Sequence, residues 1–258
     1  MIIDNYDGFI FDLDGTVYRG EHIIPNANTT VNKVKELKKK IIFVSNKTTD
    51  SKESYFNFLK KHDFNIEEGE ILTALEIAKD YLRKNFLHKK FFAIGEQHFI
   101  DEISASNLIY SEDPNEIEIV LITLDRTFNY NKLEIAAKSI EQGAKFFAAN
   151  IDNTCPVDDG EIWDAGSTIS ALEKRTRRKL ELNFGKPSSL MINTVLKKLL
   201  LEREKILIVG DRLETDIKMG NDFGIDSALV LTGVNNFSDN GNSIKPKYTI
   251  DSVYDLIK

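Results

Sequence analysis

The chain of 258 residues holds one cysteine, Cys155, so no disulfide can form within it and no cross-linked framework is expected. Positive charge is also short: 34 Lys and Arg stand against 41 Asp and Glu, a formal net charge of -7. Holding nucleic acid through its phosphates needs clustered cations, and this balance argues against such a partner. Long apolar stretches are missing too. Runs such as Ile41 to Val44 and Ile206 to Val209 are far too short to span a bilayer, and no basic segment followed by a long apolar stretch opens the chain. No membrane partner is expected, and the expected address is cytoplasmic. The four histidines, His22, His62, His88 and His98, show no paired metal-ligand spacing. No Pro/Gly/Ser linker, internal repeat or low-complexity tract interrupts the sequence. What is present is 41% hydrophobic and 29% charged residues, a balance that supports a core. The length suits one large domain, or a core with a smaller partner.

Gly8 to Leu13 reads Gly-Phe-Ile-Phe-Asp-Leu, a buried strand ended by Asp14-Gly15. Val31, Val34 and Leu37 recur at three-residue spacing, an amphipathic helix with three lysines at its C-terminus. Ile41 to Ser45 is a second strand, and Asp50 with Glu53 resembles a capping pair for a helix carrying Tyr55, Phe58 and Leu59. Near the end, Ser188 can cap a helix through Leu200, followed by a strand at Ile206 to Val209. A helix over Thr215 to Phe223, stopped by Gly224, and a strand at Ser227 to Leu231 complete the alternation. Between them, Phe91 to Ile94, Ile117 to Leu124 and Lys145 to Ala149 read as strands and Leu133 to Glu141 as a helix. Strands alternating with helices predict an α/β protein: a Rossmann-like parallel sheet with helices on both faces, plus a smaller inserted α/β cap domain. The expected boundaries put residues 1–80 and 183–258 in the core and 81–182 in the insertion.

Ligands bind such sheets outside the carboxyl ends of the strands, and four motifs fall there. Asp12-Leu13-Asp14-Gly15-Thr16 follows the first strand; its two carboxylates repel each other unless a cation lies between them or one is protonated. Val44-Ser45-Asn46 ends the next with a hydroxyl and an amide suited to phosphate oxygens, although Ser-Asn is also ordinary turn chemistry. Gly185-Lys186-Pro187 precedes a helix and offers a compact positive charge. Gly210-Asp211-Arg212-Leu213-Glu214-Thr215-Asp216 follows a strand with two more carboxylates, either of which taken singly could be a helix cap. Chance agreement of all four in type, order and placement is remote.

The set resembles the haloacid dehalogenase superfamily of phosphotransferases over essentially the whole chain. The insertion between the second and third motifs resembles that superfamily's class IIA cap. Asp12 to Gly20, Ile24-Pro25, Ile94-Gly95-Glu96, Leu124-Asp125-Arg126, Ala149-Asn150-Ile151-Asp152 and Gly210 to Ile217 are similar to the NagD-like, p-nitrophenylphosphatase branch. Val44-Ser45-Asn46-Lys47 departs from a Thr-Asn-Asn run, and Asp164-Ala165-Gly166-Ser167 replaces a more glycine-rich stretch. The resemblance implies Asp12 as nucleophile, Asp14 as general acid/base and Lys186 as the cation facing phosphate. It implies Ser45 and Asn46 as phosphate ligands, and Mg²⁺ on Asp12, Asp211, Asp216 and the Asp14 carbonyl. Asn150 and Asp152 match the branch's Asn-x-Asp stretch and are expected to meet the leaving group, the alternative being that they only shape a turn before Pro156. The residues from Asn150 to Asp159 are expected to set selectivity.

The expected function is Mg²⁺-dependent hydrolysis of a small phosphate monoester through an aspartyl-phosphate intermediate. Sugar phosphates, nucleotides, phosphoglycolate and pyridoxal phosphate all remain candidate substrates. One alternative is a phosphomutase; only Gly15 to Ile42 separates the first two motifs, short for the helical cap such mutases carry. The other is a non-catalytic phosphate-ligand-binding protein, which retention of Asp12, Asp14, Lys186 and Asp211 disfavours. A homodimer through the cap is a further expectation. Trp163 and Phe128 are read as packing residues.

Overall fold

The computed structural model describes residues 1–157, 160–233 and 243–258. The chain divides into two compact units. Met1–Ser45, Ser51–Leu72 and Pro187–Lys258 form one; Asn46–Asp50 and Thr73–Lys186 form the other.

The first unit is built on a six-stranded sheet. Its order is Tyr248–Ile250, Asp226–Val230, Ile206–Gly210, Gly8–Asp12, Lys40–Ser45, Ile71–Thr73. The pairs from Tyr248–Ile250 through Lys40–Ser45 are parallel. Gly8–Asp12 lies in the interior, buried at every residue, which is why its sequence is a continuous apolar run rather than an alternation. Side chains still point to alternate faces. Phe9 and Phe11 stack at 5.8 Å, and Phe11 on Phe43 at 5.9 Å, in one core with Val31, Val34, Leu59, Leu207 and Val209. Removing one such ring to alanine costs about 3–5 kcal/mol. Ile10, Ile42 and Ile208 face the other way, where the helix Ser189–Leu199 packs on Lys40–Ser45.

Local chemistry explains where elements stop. The helix Ala27–Glu36 ends before the lysine run. Lys39 then donates to the Ile3 and Tyr6 carbonyls, and Lys40 to the Leu199 carbonyl at 2.6 Å, so these ammoniums tie segments together. The helix Lys52–Lys61 is capped by Ser51, whose hydroxyl accepts from the Ser54 N–H at 3.1 Å. The expected Asp50–Glu53 pair starts one residue early. The expected helix over Thr215 to Phe223 is instead a π-helical turn at Leu213–Ile217 running into the short helix Lys218–Phe223.

The second unit carries its own parallel five-stranded sheet, in the order Leu182–Asn183, Lys145–Ala148, Ile119–Ile122, Lys90–Ile94, Ile109–Tyr110. One face packs Phe92, Val120 and Phe146 against Ile135, Ile140, Ile169 and Leu172. The last two lie on the helix Ala165–Thr176, whose weak period hid it in the sequence. Tyr81, Phe86, Phe147 and Phe184 form an aromatic cluster with centroids 5.5–6.3 Å apart. A two-stranded antiparallel hairpin, Thr154–Val157 with Gly160–Trp163, stands apart from the sheet. Trp163 on it is 82% exposed, so its expected packing role is not met within the described residues. Asp158 and Asp159, which close the stretch read for selectivity, lie outside the described residues. Among the described residues no helix is long and apolar enough to cross a membrane.

Candidate active site

Register brings the acidic motifs to one edge of the first sheet. Phe11 pairs with Val209 and Asp12 with Val44, so Asp12, Ser45 and Gly210 all leave the sheet at its carboxyl edge. After Asp12 the chain turns tightly: the Val17 and Tyr18 N–H groups both donate to the Leu13 carbonyl, and the Gly15 N–H to Tyr18. Gly15 sits at φ +88°, a left-handed conformation that costs glycine little. A Cβ on Gly15 would lie 2.5 Å from Asp211 Oδ2, and one on Gly233 1.9 Å from it. The Thr232 hydroxyl donates to the Gly15 carbonyl at 2.6 Å, binding these two loops together around Asp211.

The π-helical turn delivers the last carboxylate. Asp216 and Ile217 both donate their N–H to the Arg212 carbonyl. The widened turn lets Asp216 reach back, and its Oδ2 accepts the Arg212 N–H at 3.2 Å. Such turns concentrate at functional sites. A Cβ on Gly210 would lie 2.2 Å from the Asp216 carboxyl carbon. Asp12, Asp211 and Asp216 are 8%, 1% and 1% exposed, and each offers an oxygen within 4.8 Å of the others. Three buried carboxylates at that range repel strongly unless protonated or bridged by a cation. Hard oxygen donors so closely set fit a divalent cation of the Mg²⁺ type. Asp14 is half-buried beside the cluster in sequence and pairs by backbone with Tyr18. Ser45 is 3% exposed at the end of its strand. Arg19 is exposed.

Asn46, Lys186, Asn150 and Asp152 are joined within the second unit. The Lys186 N–H donates to Asn46 Oδ1 at 2.7 Å, while Asn46 Nδ2 donates to the Lys186 carbonyl at 3.2 Å and to Asp152 Oδ2 at 2.9 Å. Asn150 donates to Asp152 at 3.3 Å and to Asp164 at 3.0 Å, and accepts from the Thr123 hydroxyl at 3.0 Å. Thr123 in turn shares a short hydrogen bond with Thr48. Lys186 and Asn150 are 3% and 2% exposed. Thr48, Thr123 and Asp164 escape sequence reasoning. Only Asp164 leaves a signal, as the N-cap of Ala165–Thr176. Two ion pairs brace the carboxyl edge of the second unit's own sheet, just after Lys90–Ile94 and Ile119–Ile122. Asp125, almost wholly buried, meets Lys132 at 2.6 Å, and Arg126 forks onto Glu96. The Arg126 hydrogen bonds hold the Glu96 carboxyl below the usual carboxylate range.

Residues 9–109 match the family model of haloacid dehalogenase-like hydrolases, and residues 183–256 a model of HAD-hydrolase-like proteins. The chain is 32% identical over 251 residues to the sugar-phosphatase AraL of Bacillus subtilis, covering 97% of this chain and 92% of that protein. It is similar in structure to a p-nitrophenyl phosphatase from Archaeoglobus fulgidus, with TM-score 0.88, 31% identity and 98% of each chain covered. A glycerol phosphate phosphatase from Mycobacterium tuberculosis, solved in complex with magnesium, matches with TM-score 0.84 and 26% identity, covering 99% of this chain and 77% of that one.

Proposed function

Because this chain belongs to the haloacid dehalogenase-like hydrolases, in their class IIA, NagD-like branch of phosphoric monoester hydrolases, we propose that it hydrolyses small phosphate monoesters with Mg²⁺ through a phosphorylated Asp12. The observation that carries this reading is the cluster of three buried carboxylates at the carboxyl edge of the sheet, one of them Asp12. In this reading Asp12, Asp211, Asp216 and the Asp14 carbonyl hold the ion. When bound, Mg²⁺ offsets the negative charge that would keep an anionic nucleophile from an anionic ester.

The remaining work falls to the chain's own groups. An Asp12 carboxylate oxygen attacks phosphorus, and the bond to the leaving oxygen breaks. Asp14 gives that oxygen its proton. Asp14, now ionised, takes a proton from the water that attacks phosphorus, and inorganic phosphate leaves with Asp12 restored. Splitting the reaction avoids one hard step, and proton transfers of this kind contribute ~10²–10⁴-fold. Ser45 donates its hydroxyl to a phosphoryl oxygen, and Lys186 supplies the second positive charge. The first unit carries Asp12, Asp14, Ser45 and the carboxylate cluster, while the second carries Lys186 and acts as the cap that selects the leaving group. The names of relatives, a sugar-phosphatase, phosphoglycolate phosphatases and a glycerol phosphate phosphatase, support sugar, phosphoglycolate and glycerol phosphates as candidate substrates.

The test is phosphate release from p-nitrophenyl phosphate and a panel of sugar, glycerol and nucleoside phosphates, with Mg²⁺ and with excess chelator. Acid quenching during turnover should trap labelled phosphate on the protein. Turnover that ignores the chelator, or the absence of any trapped label, counts against the mechanism.

A further inference from the structure

We infer that Asn46 is a positioning residue: its side-chain amide clamps the backbone of Lys186 and leaves no donor with which to hold phosphate. The inference rests on the reading of Lys186 as the cation that faces the phosphoryl group.

A side-chain amide has two N–H donors and one oxygen acceptor. Both Asn46 donors have partners, the Asp152 carboxylate at 2.9 Å and the Lys186 carbonyl at 3.2 Å. Its Oδ1 takes the Lys186 N–H at 2.7 Å. The backbone donor and the carboxylate acceptor fix which end of the amide is which. A phosphate oxygen needs a donor, and Oδ1 can only repel it. Asn46 therefore grips Lys186 on both sides of one residue, much as a neighbouring strand would.

Its surroundings are shaped to that grip. A Cβ on Gly185 would lie 2.4 Å from Asn46 Oδ1 and 2.7 Å from the Ala149 carbonyl, so the bare backbone of Gly185 is what seats the amide. Asn183 grips the same stretch, donating to the Gly185 and Lys186 carbonyls at 3.0 and 3.2 Å. Asp152 anchors Asn46, and Asn150, itself fully engaged, anchors Asp152. The Asn-x-Asp stretch thus reaches Lys186 through Asn46. A catalytic group displaced by about 1 Å can lose ~10²-fold in rate, so a clamp on a lysine backbone acts on chemistry without touching substrate.

The test is a double-mutant cycle on the full chain, with Asn46→Ala, Lys186→Ala and both together, assayed by kcat/KM for p-nitrophenyl phosphate. Asn46→Ala should lose roughly 10- to 100-fold, chiefly in kcat. In the Lys186→Ala background it should cost less than about twofold, because a group acting through a lysine has nothing to act on once the lysine is gone. Multiplying losses would mean that Asn46 meets the phosphoryl group itself and would overturn the inference. Inorganic phosphate binding by calorimetry in Mg²⁺ repeats the cycle where turnover is too slow to measure, with the same expectation. Thermal melts of all four proteins separate misfolding from misplacement. A swap adds a rescue: Asn46→Asp sets two carboxylates face to face, and adding Asp152→Asn restores an amide–carboxylate bond of reversed polarity. Recovery of fivefold or more is expected; none would overturn the anchoring role of Asp152. If wild type releases no phosphate, or Lys186→Ala alone changes nothing, the functional reading falls and the inference with it. If Lys186→Ala is impaired and the losses multiply, only the clamp falls.

Discussion

At the scale of single residues, the site depends on what carboxylates touch and on where side chains are missing. Asp12→Asn should lower p-nitrophenyl phosphate turnover by at least a thousandfold with the circular dichroism spectrum unchanged, since an amide is neither nucleophile nor good Mg²⁺ ligand. Turnover within tenfold of wild type would remove Asp12 from its role. Gly210→Ala adds a Cβ 2.2 Å from the Asp216 carboxyl carbon, so that carboxylate must shift. The Mg²⁺ concentration giving half-maximal activity should rise at least tenfold; an unchanged value would show that Asp216 moves freely. The placement of Asp12, Asp14 and Asp211 at strand ends was legible because strand ends carry their own sequence signals, apolar run then Asp and Gly. The bonding of Asn46 was not, because its partner is 140 residues away and a Ser-Asn pair reads equally as a turn.

Elements were legible where one period dominates, and illegible where two signals compete. Ser51 and Asp50 are both good N-caps in sequence, and only geometry separates them. Ser51 accepts from the Ser54 N–H, whereas Asp50 accepts from the Thr49 hydroxyl at 3.0 Å. Ser51→Ala should therefore cost about 0.5–2 kcal/mol by urea denaturation, and Asp50→Ala markedly less. Equal losses would return the cap to Asp50. The π-helical turn at Leu213–Ile217 had no signal at all, since an extra residue in a helical turn shifts the phase of a segment too short to show a period.

For the whole molecule, the proposed ion site would link binding to folding. Mg²⁺ at a hundred times its dissociation constant adds about 2.7 kcal/mol to the state that binds it, roughly 5–10 °C in melting temperature for a chain of this size. The two units need not melt together, so the shift belongs to the transition that carries the first unit. Asp211→Asn should abolish the shift and, by relieving carboxylate repulsion, raise the melting temperature without ion. A shift that survives the substitution would place the ion elsewhere. The α/β alternation was open to inspection in the sequence, strand by strand. The order of the strands was not, because pairing across the chain leaves no local trace.

That order also sets a timetable. Gly8–Asp12 pairs on one side with Lys40–Ser45, but its other neighbour, Ile206–Gly210, comes about 200 residues later. At a ribosomal pace of roughly 5–20 residues per second, the first strand waits ~10–40 s with one flank of Phe9, Ile10 and Phe11 uncovered. Every strand of the second sheet, from Lys90 to Asn183, is made during that wait. The newborn chain therefore completes its inserted sheet while Asp12 still lacks Asp211 and Asp216, and the acid cluster is among the last things synthesis brings together.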